Sequence, residues 1–190
     1  MTATKTRREA QRIVRAKRGI ILDVGCGENV QEGAVGMDKR DLPGVDIVHD
    51  MNAIPWPLEN ESVISIVASH VVEHINPADG HFIDWMDECW RILKPQGTMG
   101  IVAPYGLSTL FVQDPTHCNP VNEKTFWYFD GDQRGHHGGK EIVYWGIYKP
   151  KPWKIEASYF SAEGMLEVSL RKRIEVPESW TVPEGTVVTT

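Results

Sequence analysis

Three short apolar runs follow one another early in the chain, each stopped by glycine or by an acid. Ile20–Val24 stops at Gly25-Cys26-Gly27, Ala34–Met37 stops at Asp38, and Val45–Val48 reaches His49-Asp50. Runs this short, bounded in this way, suit strands buried on both faces of a parallel sheet. A fourth run, SVISIVASH from Ser62 to His70, is rich in Val and Ile and predicts another strand. From Ala78 to Leu93 the period changes: Phe82, Trp85, Met86, Cys89 and Trp90 recur at three- and four-residue intervals, which predicts a helix with its Met and aromatic stripe in the core. Lys94-Pro95-Gln96-Gly97 then breaks the chain before a fifth strand, Thr98–Pro104. Ile155–Phe160 and Leu166–Arg173 alternate apolar and polar residues about Ala162-Glu163-Gly164, the pattern of an antiparallel pair. Pro55 and Pro57 around Trp56 make 52–60 a rigid turn.

Only Glu28 to Gly33 separates the first two strands. Parallel neighbours normally need a crossover of roughly a dozen residues or more. The link is therefore expected to be a tight turn or one helical turn, leaving a sheet face poorly covered or covered by something else.

Strands in this order bring a glycine bend and three carboxylates to the carboxyl edge of the sheet, where ligands sit in open α/β folds. Gly25 and Gly27 allow a ligand to lie against bare peptide groups. Asp38 can accept two hydrogen bonds from the vicinal hydroxyls of a ribose. Asp50 and Met51, one strand further out, suit an attached base, the thioether against its ring. A dinucleotide site would need G-x-G-x-x-G opening a helix and an acid about twenty residues on. Here Val30 stands at the third glycine position and Asp38 comes too soon. Asp23 would also repel a phosphate, whereas it suits a cationic amino group. These residues describe a pocket for an adenosyl compound with an amino acid tail.

LDVGCG, then GMD, DMNAIPW, ASHVVEHI and RILKPQGTMGIVAP, together resemble the class I S-adenosylmethionine-dependent methyltransferases, specifically the type 11 group. The resemblance covers about residues 19 to 104. It implies a Rossmann-like, doubly wound, mostly parallel seven-stranded sheet closed by an antiparallel hairpin, with the first crossover shortened. It implies that S-adenosylmethionine is the cofactor and S-adenosylhomocysteine the product. Asp23, Gly25, Cys26 and Gly27 would then surround the methionine portion. Asp38, with Lys39 beside it, would hold the ribose, Asp50 and Met51 would flank adenine, and Ser69 and His70 would close the fourth strand at the pocket.

At 190 residues the chain fits one domain, 1–176, followed by a tail, 177–190. The three cysteines, Cys26, Cys89 and Cys118, have neither disulfide-framework nor zinc-site spacing, and no metal site is expected. His136-His137 lack such spacing too. The start of the chain has no apolar core of a signal peptide and no run reaches membrane length, so a cytoplasmic location is expected. Seven of the twenty basic residues fall within 1–18. That segment reads as an amphipathic helix whose Ala10, Ile13 and Val14 could cover the sheet. The other reading is a basic arm for nucleic acid.

The insert from Tyr105 to Lys151, rich in aromatics and glycines, leaves the ligand edge and is the expected acceptor pocket and lid; the plainer reading is a loop with its own apolar cluster. Within it, DPTHCNP sets Asp114 three residues before His117, an imidazole that a carboxylate can orient, which makes His117 the candidate acceptor-site residue. His70, His74 and Glu73 are read as structural. After the fourth strand there is no acid-or-Asn, Pro-Pro, aromatic motif of the kind used on adenine or glutamine amides, which favours a small-molecule acceptor. An inactive cofactor-binding partner subunit and a nucleic-acid methyltransferase are the alternatives.

Overall fold

The computed structural model describes residues 19–137 and 139–180. The basic segment 1–18, read above as a helix, and residues 181–190 lie outside the described residues. The first four strands are β1 (Ile20–Val24), β2 (Val35–Asp38), β3 (Val45–Val48) and β4 (Val63–Ser69). Helix α1 (His81–Ile92) leads into β5 (Leu93–Pro104). A small hairpin, β6 (Arg134–His137) with β7 (Lys140–Val143), precedes β8 (Trp153–Phe160) and β9 (Met165–Lys172).

Seven strands form one sheet in the order β3-β2-β1-β4-β5-β9-β8. The first five run parallel, and β9 lies antiparallel between β5 and β8. This is the mostly parallel α/β sheet closed by an antiparallel pair that the apolar pattern predicts. Leu22, Val24, Val35 and Met37 are fully buried, as strands inside a parallel sheet require.

The core lies between this sheet and α1. Phe82, Trp85, Met86, Cys89 and Ile92 are buried along one side of the helix, in one cluster with Ile66, Ala68, Met99 and Ile101. Along the central strands these buried residues alternate with partly covered ones, Ser65, Val67, Thr98 and Val102, so burial follows the two-residue period of a strand. The PWP turn is pinned onto the helix. Trp56 is fully buried; its amide donates to Glu88 Oε1 at 2.6 Å and its indole N–H to the Met51 carbonyl at 3.0 Å. Glu88 also takes a two-pronged contact from the Arg91 guanidinium, at 2.7 and 2.6 Å.

Two expectations are revised and one crossover adds to them. Lys94–Gly97 does not separate helix from strand: β5 starts at Leu93, and between the pairs Val63 with Leu93 and Ser65 with Thr98 the extra residues form a bulge with Gln96 at φ 63°. The second crossover is shorter than the first, since 39–44 alone joins β2 to β3. The tail does not begin at Pro177, because Glu178–Trp180 forms a 3-10 turn that buries Trp180 completely. Its ring lies on Gly131, where any Cβ would collide with it. It also packs 5.3 Å from the Trp145 ring and donates to Asp132 Oδ1 at 2.8 Å.

The insert has two parts. Val121, Phe126 and Phe129 join the main core, and Trp127, Tyr128, Tyr144 and Tyr148 form an aromatic cluster that touches it through Tyr128. Trp180→Ala should therefore cost about 3–5 kcal/mol of stability, the usual loss on emptying a buried aromatic site. Urea unfolding checks this, and an unchanged midpoint would show that the carboxyl-terminal turn does not contribute.

Candidate functional site

The link between β1 and β2 is held by polar contacts instead of a helix. Gly25 and Gly27 take φ of 63° and 58°, the left-handed region that favours glycine. The Gly25 amide donates to the Met37 carbonyl at 2.7 Å and the Gly27 amide to Asp38 Oδ2 at 2.9 Å. Asp23 Oδ2 accepts from the Gln31 amide at 2.9 Å. The link then folds back over β2: a Cβ on Gly36 would stand 2.7 Å from Val30 Cγ2 and 2.9 Å from Cys26 Sγ. Val30 and Cys26 thus cover the part of the sheet that a crossover helix would.

Beside this bend a cavity of about 390 Å³ opens, lined by Gly25, Met37, Asp38, Lys39, Arg40, His49, Met51, Asn52, His70, Val71, His74 and Thr116. Its volume lies in the ordinary range of small-ligand sites, about 300–1,000 Å³. Each of the first four strands ends at it. Of the residues expected at a cofactor, Gly25, Asp38, Lys39, Met51 and His70 line the cavity together. Asp23, in β1, and Cys26 and Gly27, in the bend, are not among the lining residues. Asp50 and Ser69 are exposed and do not line it; Asp50 Oδ1 accepts from the Asn52 amide at 2.9 Å, closing the turn after β3.

Asp38 is the most heavily engaged group. Besides Gly27, it accepts from the Arg40 amide at 2.9 Å and from Arg40 Nε at 3.2 Å. Desolvation pushes its pKa up, but the Arg40 guanidinium and the two amides outweigh that and hold it below the usual carboxylate range. Asp23 is shifted the other way, raised mainly by desolvation against the Gln31 amide. Burial, with Asp23 and Asp38 nearby, pushes the Cys26 thiol up to about 11, so it stays protonated at neutral pH and is a poor nucleophile.

His117 does not line the cavity. It stands behind His74, with ring centroids 4.8 Å apart, and its Nδ1 lies 2.9 Å from the Phe111 carbonyl. Asp114 Oδ2 is 3.8 Å from Nε2, so the hydrogen bond that orients the ring comes from Phe111. The imidazoles on the wall are His49, His70 and His74, and His49 Nε2 is occupied by the Ala53 carbonyl at 2.7 Å. His70, at φ 56°, is 58% exposed with Nδ1 3.5 Å from Glu73 Oε1. Arg40, Asn52 and Thr116 went unmarked in the sequence. Arg40 carries a readable signal, a cation two residues after the ribose-type acid, whereas Thr116 reaches the cavity only through the fold of the insert.

No family model matches the sequence. No curated protein matches it either. Solved structures share its fold. Over 88% of this chain and 95% of the other, it is similar to a SAM-dependent methyltransferase from Archaeoglobus fulgidus, with 17% identity and a TM-score of 0.53. A SAM-dependent methyltransferase structure from Methanosarcina mazei aligns over 86% of this chain and 98% of its own, with 13% identity and a TM-score of 0.50. The [4+2]-cyclase SpnF aligns over 88% and 82%, with 12% identity and a TM-score of 0.53. The seven-stranded sheet is thus the Rossmann-like fold of these methyltransferase structures.

Two outcomes test the bend. Gly25→Ala puts a Cβ 2.8 Å from Val71 Cγ2 in a strained conformation and should lower the melting temperature; an unchanged value would mean that the bend tolerates a side chain. Because the pKa of Asp38 is lowered on folding, its contribution to stability is present above the ordinary carboxylate pKa of about 3.9 and is lost as pH falls through its folded value. Urea unfolding of wild type and Asp38→Asn should therefore converge towards acid pH. A gap that stays constant from pH 6 to 2 would contradict the assignment.

Proposed function

We propose that the cavity binds S-adenosylmethionine and that the chain transfers its methyl group to a small acceptor. The observation that carries this reading is the convergence of Gly25, Asp38, Met51 and His70, each just at or past the end of a different parallel strand, on one cavity. The methyltransferase structures with the same fold support it. SpnF, solved as a cyclase, shows that the fold alone does not fix the chemistry.

The residues fit the cofactor. Gly25 leaves bare backbone on the wall for the amino acid end, and Asp23, bonded to the Gln31 amide, holds the loop in place. A carboxylate offers about four acceptor sites, and three on Asp38 are taken by Gly27 and Arg40. The remaining site, together with the one freed when the 60%-exposed Arg40 side chain swings to solvent, suits a ribose diol. Met51 supplies a thioether for the adenine face. Bound there, the sulfonium would supply a methyl group already activated for in-line displacement. The protein then needs mainly to align the acceptor and exclude water. Where the acceptor must lose a proton, His70 is the group on the wall to take it. Its Nδ1 faces Glu73, which leaves Nε2 as the proton-accepting atom. His117, set behind His74, acts on the site through its neighbours.

Calorimetry should show binding of S-adenosylmethionine and S-adenosylhomocysteine but not of NAD, and incubation with pools of small acceptors should release S-adenosylhomocysteine. Asp38→Ala should weaken cofactor binding by about 1.5–3 kcal/mol, the worth of charged hydrogen bonds, or roughly ten- to a hundredfold and slightly more. Binding of NAD in preference, or an Asp38→Ala variant with unchanged affinity, would overturn the reading.

A further inference from the structure

Glu73 is the middle residue of the 3-10 turn Val72–His74, just past β4. It is completely buried, and among the described residues neither carboxylate oxygen accepts a hydrogen bond from another residue. A buried carboxylate whose oxygens accept no hydrogen bond is costly, and the nearby His70 Nδ1, 3.5 Å from Oε1, belongs to a largely exposed ring. Desolvation raises its pKa, while its own amide and the imidazoles of His74, His70 and His117 oppose the rise. Something positive is needed at these oxygens, and the surrounding groups indicate what.

One donor atom each from Glu73, His74 and His117 lies within 4.8 Å of the other two. The tautomers can be worked out from the hydrogen bonds. A carbonyl only accepts, so His117 Nδ1 must carry the proton it gives to Phe111, 2.9 Å away. Thr116 gives its hydroxyl proton to Asp114 Oδ1 at 2.7 Å. Its oxygen, 3.3 Å from His74 Nδ1, is therefore the acceptor there, and His74 Nδ1 carries the proton. Both rings thus keep an Nε2 lone pair. Histidines that ligate metals generally give the other N–H to a carbonyl or carboxylate in this way, which fixes ring and tautomer.

The two segments that carry these residues are tied together. The amides of Cys118 and Asn119 donate to the Glu73 carbonyl at 2.9 and 3.0 Å, and the Asn119 side chain donates to the Val72 carbonyl at 2.9 Å. This holds the DPTHCN loop against the turn after β4, as a ligand set on separate segments requires.

We propose that Glu73, His74 and His117 form a binding site for a first-row divalent transition-metal ion, at the wall of the cavity that the half-buried His74 lines. Two imidazoles and one carboxylate make a donor set for zinc, iron, cobalt or manganese rather than for magnesium, which takes oxygen ligands. Ligand atoms around a tetrahedral ion stand roughly 3.4 Å apart, so atoms now within 4.8 Å of one another close by at most about 1.4 Å on binding. Three protein ligands leave a fourth position of a tetrahedral ion open, and His74 is the member of the set that lines the cavity. The site does not depend on the cofactor reading and revises the expectation, from spacing alone, that no metal is bound.

The test is calorimetry of chelator-treated full-length protein with Zn²⁺ and separately with Mg²⁺, with Co²⁺ as a visible-absorption probe. One equivalent of Zn²⁺ should bind at least about tenfold more tightly than Mg²⁺. Glu73→Gln, His74→Ala and His117→Ala should each weaken Zn²⁺ at least about tenfold and change the Co²⁺ spectrum. His136→Ala and Asp38→Ala should leave both unchanged. If Glu73→Gln fails to fold by circular dichroism, the part-exposed His74→Ala carries the comparison. Folded wild type that takes up no stoichiometric Zn²⁺, or binding indifferent to all three substitutions, would overturn the proposal. Loss of cofactor binding in Asp38→Ala with Zn²⁺ uptake intact would separate the two sites.

Discussion

The carboxylate of Asp38 joins the two halves of the ligand edge. Seated at the end of β2, it accepts from the amide of Gly27 in the bend after β1 and from the amide and guanidinium of Arg40 on its other side. With ten residues and no helix between β1 and β2, the bend has no helix axis to hold it, and part-buried polar contacts take that role. Bonds to charged groups contribute about 1.5–3 kcal/mol each, enough to set a short loop. The same contacts leave the backbone at Gly25 facing the cavity.

Shortening the crossovers changes how the sheet is covered. Val30 and Cys26 lie over Gly36, and Val30 also approaches Gly44, where a Cβ would stand 3.3 Å away. On the far side of the cavity, the insert replaces part of the missing wall. Its first section is fastened to the turn after β4 through Asn119 and brings Thr116 and His117 beside His74. Its later section builds an aromatic cluster of Trp127, Tyr128, Tyr144 and Tyr148, beside which Trp145 packs on Trp180.

Much of the sheet was legible because burial on both faces gives short, nearly pure apolar runs, and β1 and β3 match those runs to the residue. The helix was legible from Phe82, Trp85, Met86 and Cys89, since one buried stripe imposes a period of three to four. Lys94–Gly97 misled because Pro and Gly mark a bulge as readily as a strand boundary. Trp180 misled because Pro177 and the residues after it have loop composition, while its pocket over Gly131 comes from a segment almost fifty residues earlier. Gly25, Asp38 and Met51 could be found from their positions at strand ends. Glu73 could not, because VVEHI gives no sign that its acid faces inward, or that His117 comes from a distant segment to join His70 and His74 around it.

The central claim is that the strand ends around Gly25 and Asp38 form the ligand site. Hydrogen–deuterium exchange of the full chain, with and without S-adenosylhomocysteine, tests it most directly. The account predicts slowed amide exchange in four separate stretches, 25–27, 37–40, 49–52 and 70–74, with the β6–β7 hairpin unchanged. Protection confined to the groove along α1 that Asp84, Asp87, Trp90 and Lys151 line, or no protection at saturating ligand, would contradict it.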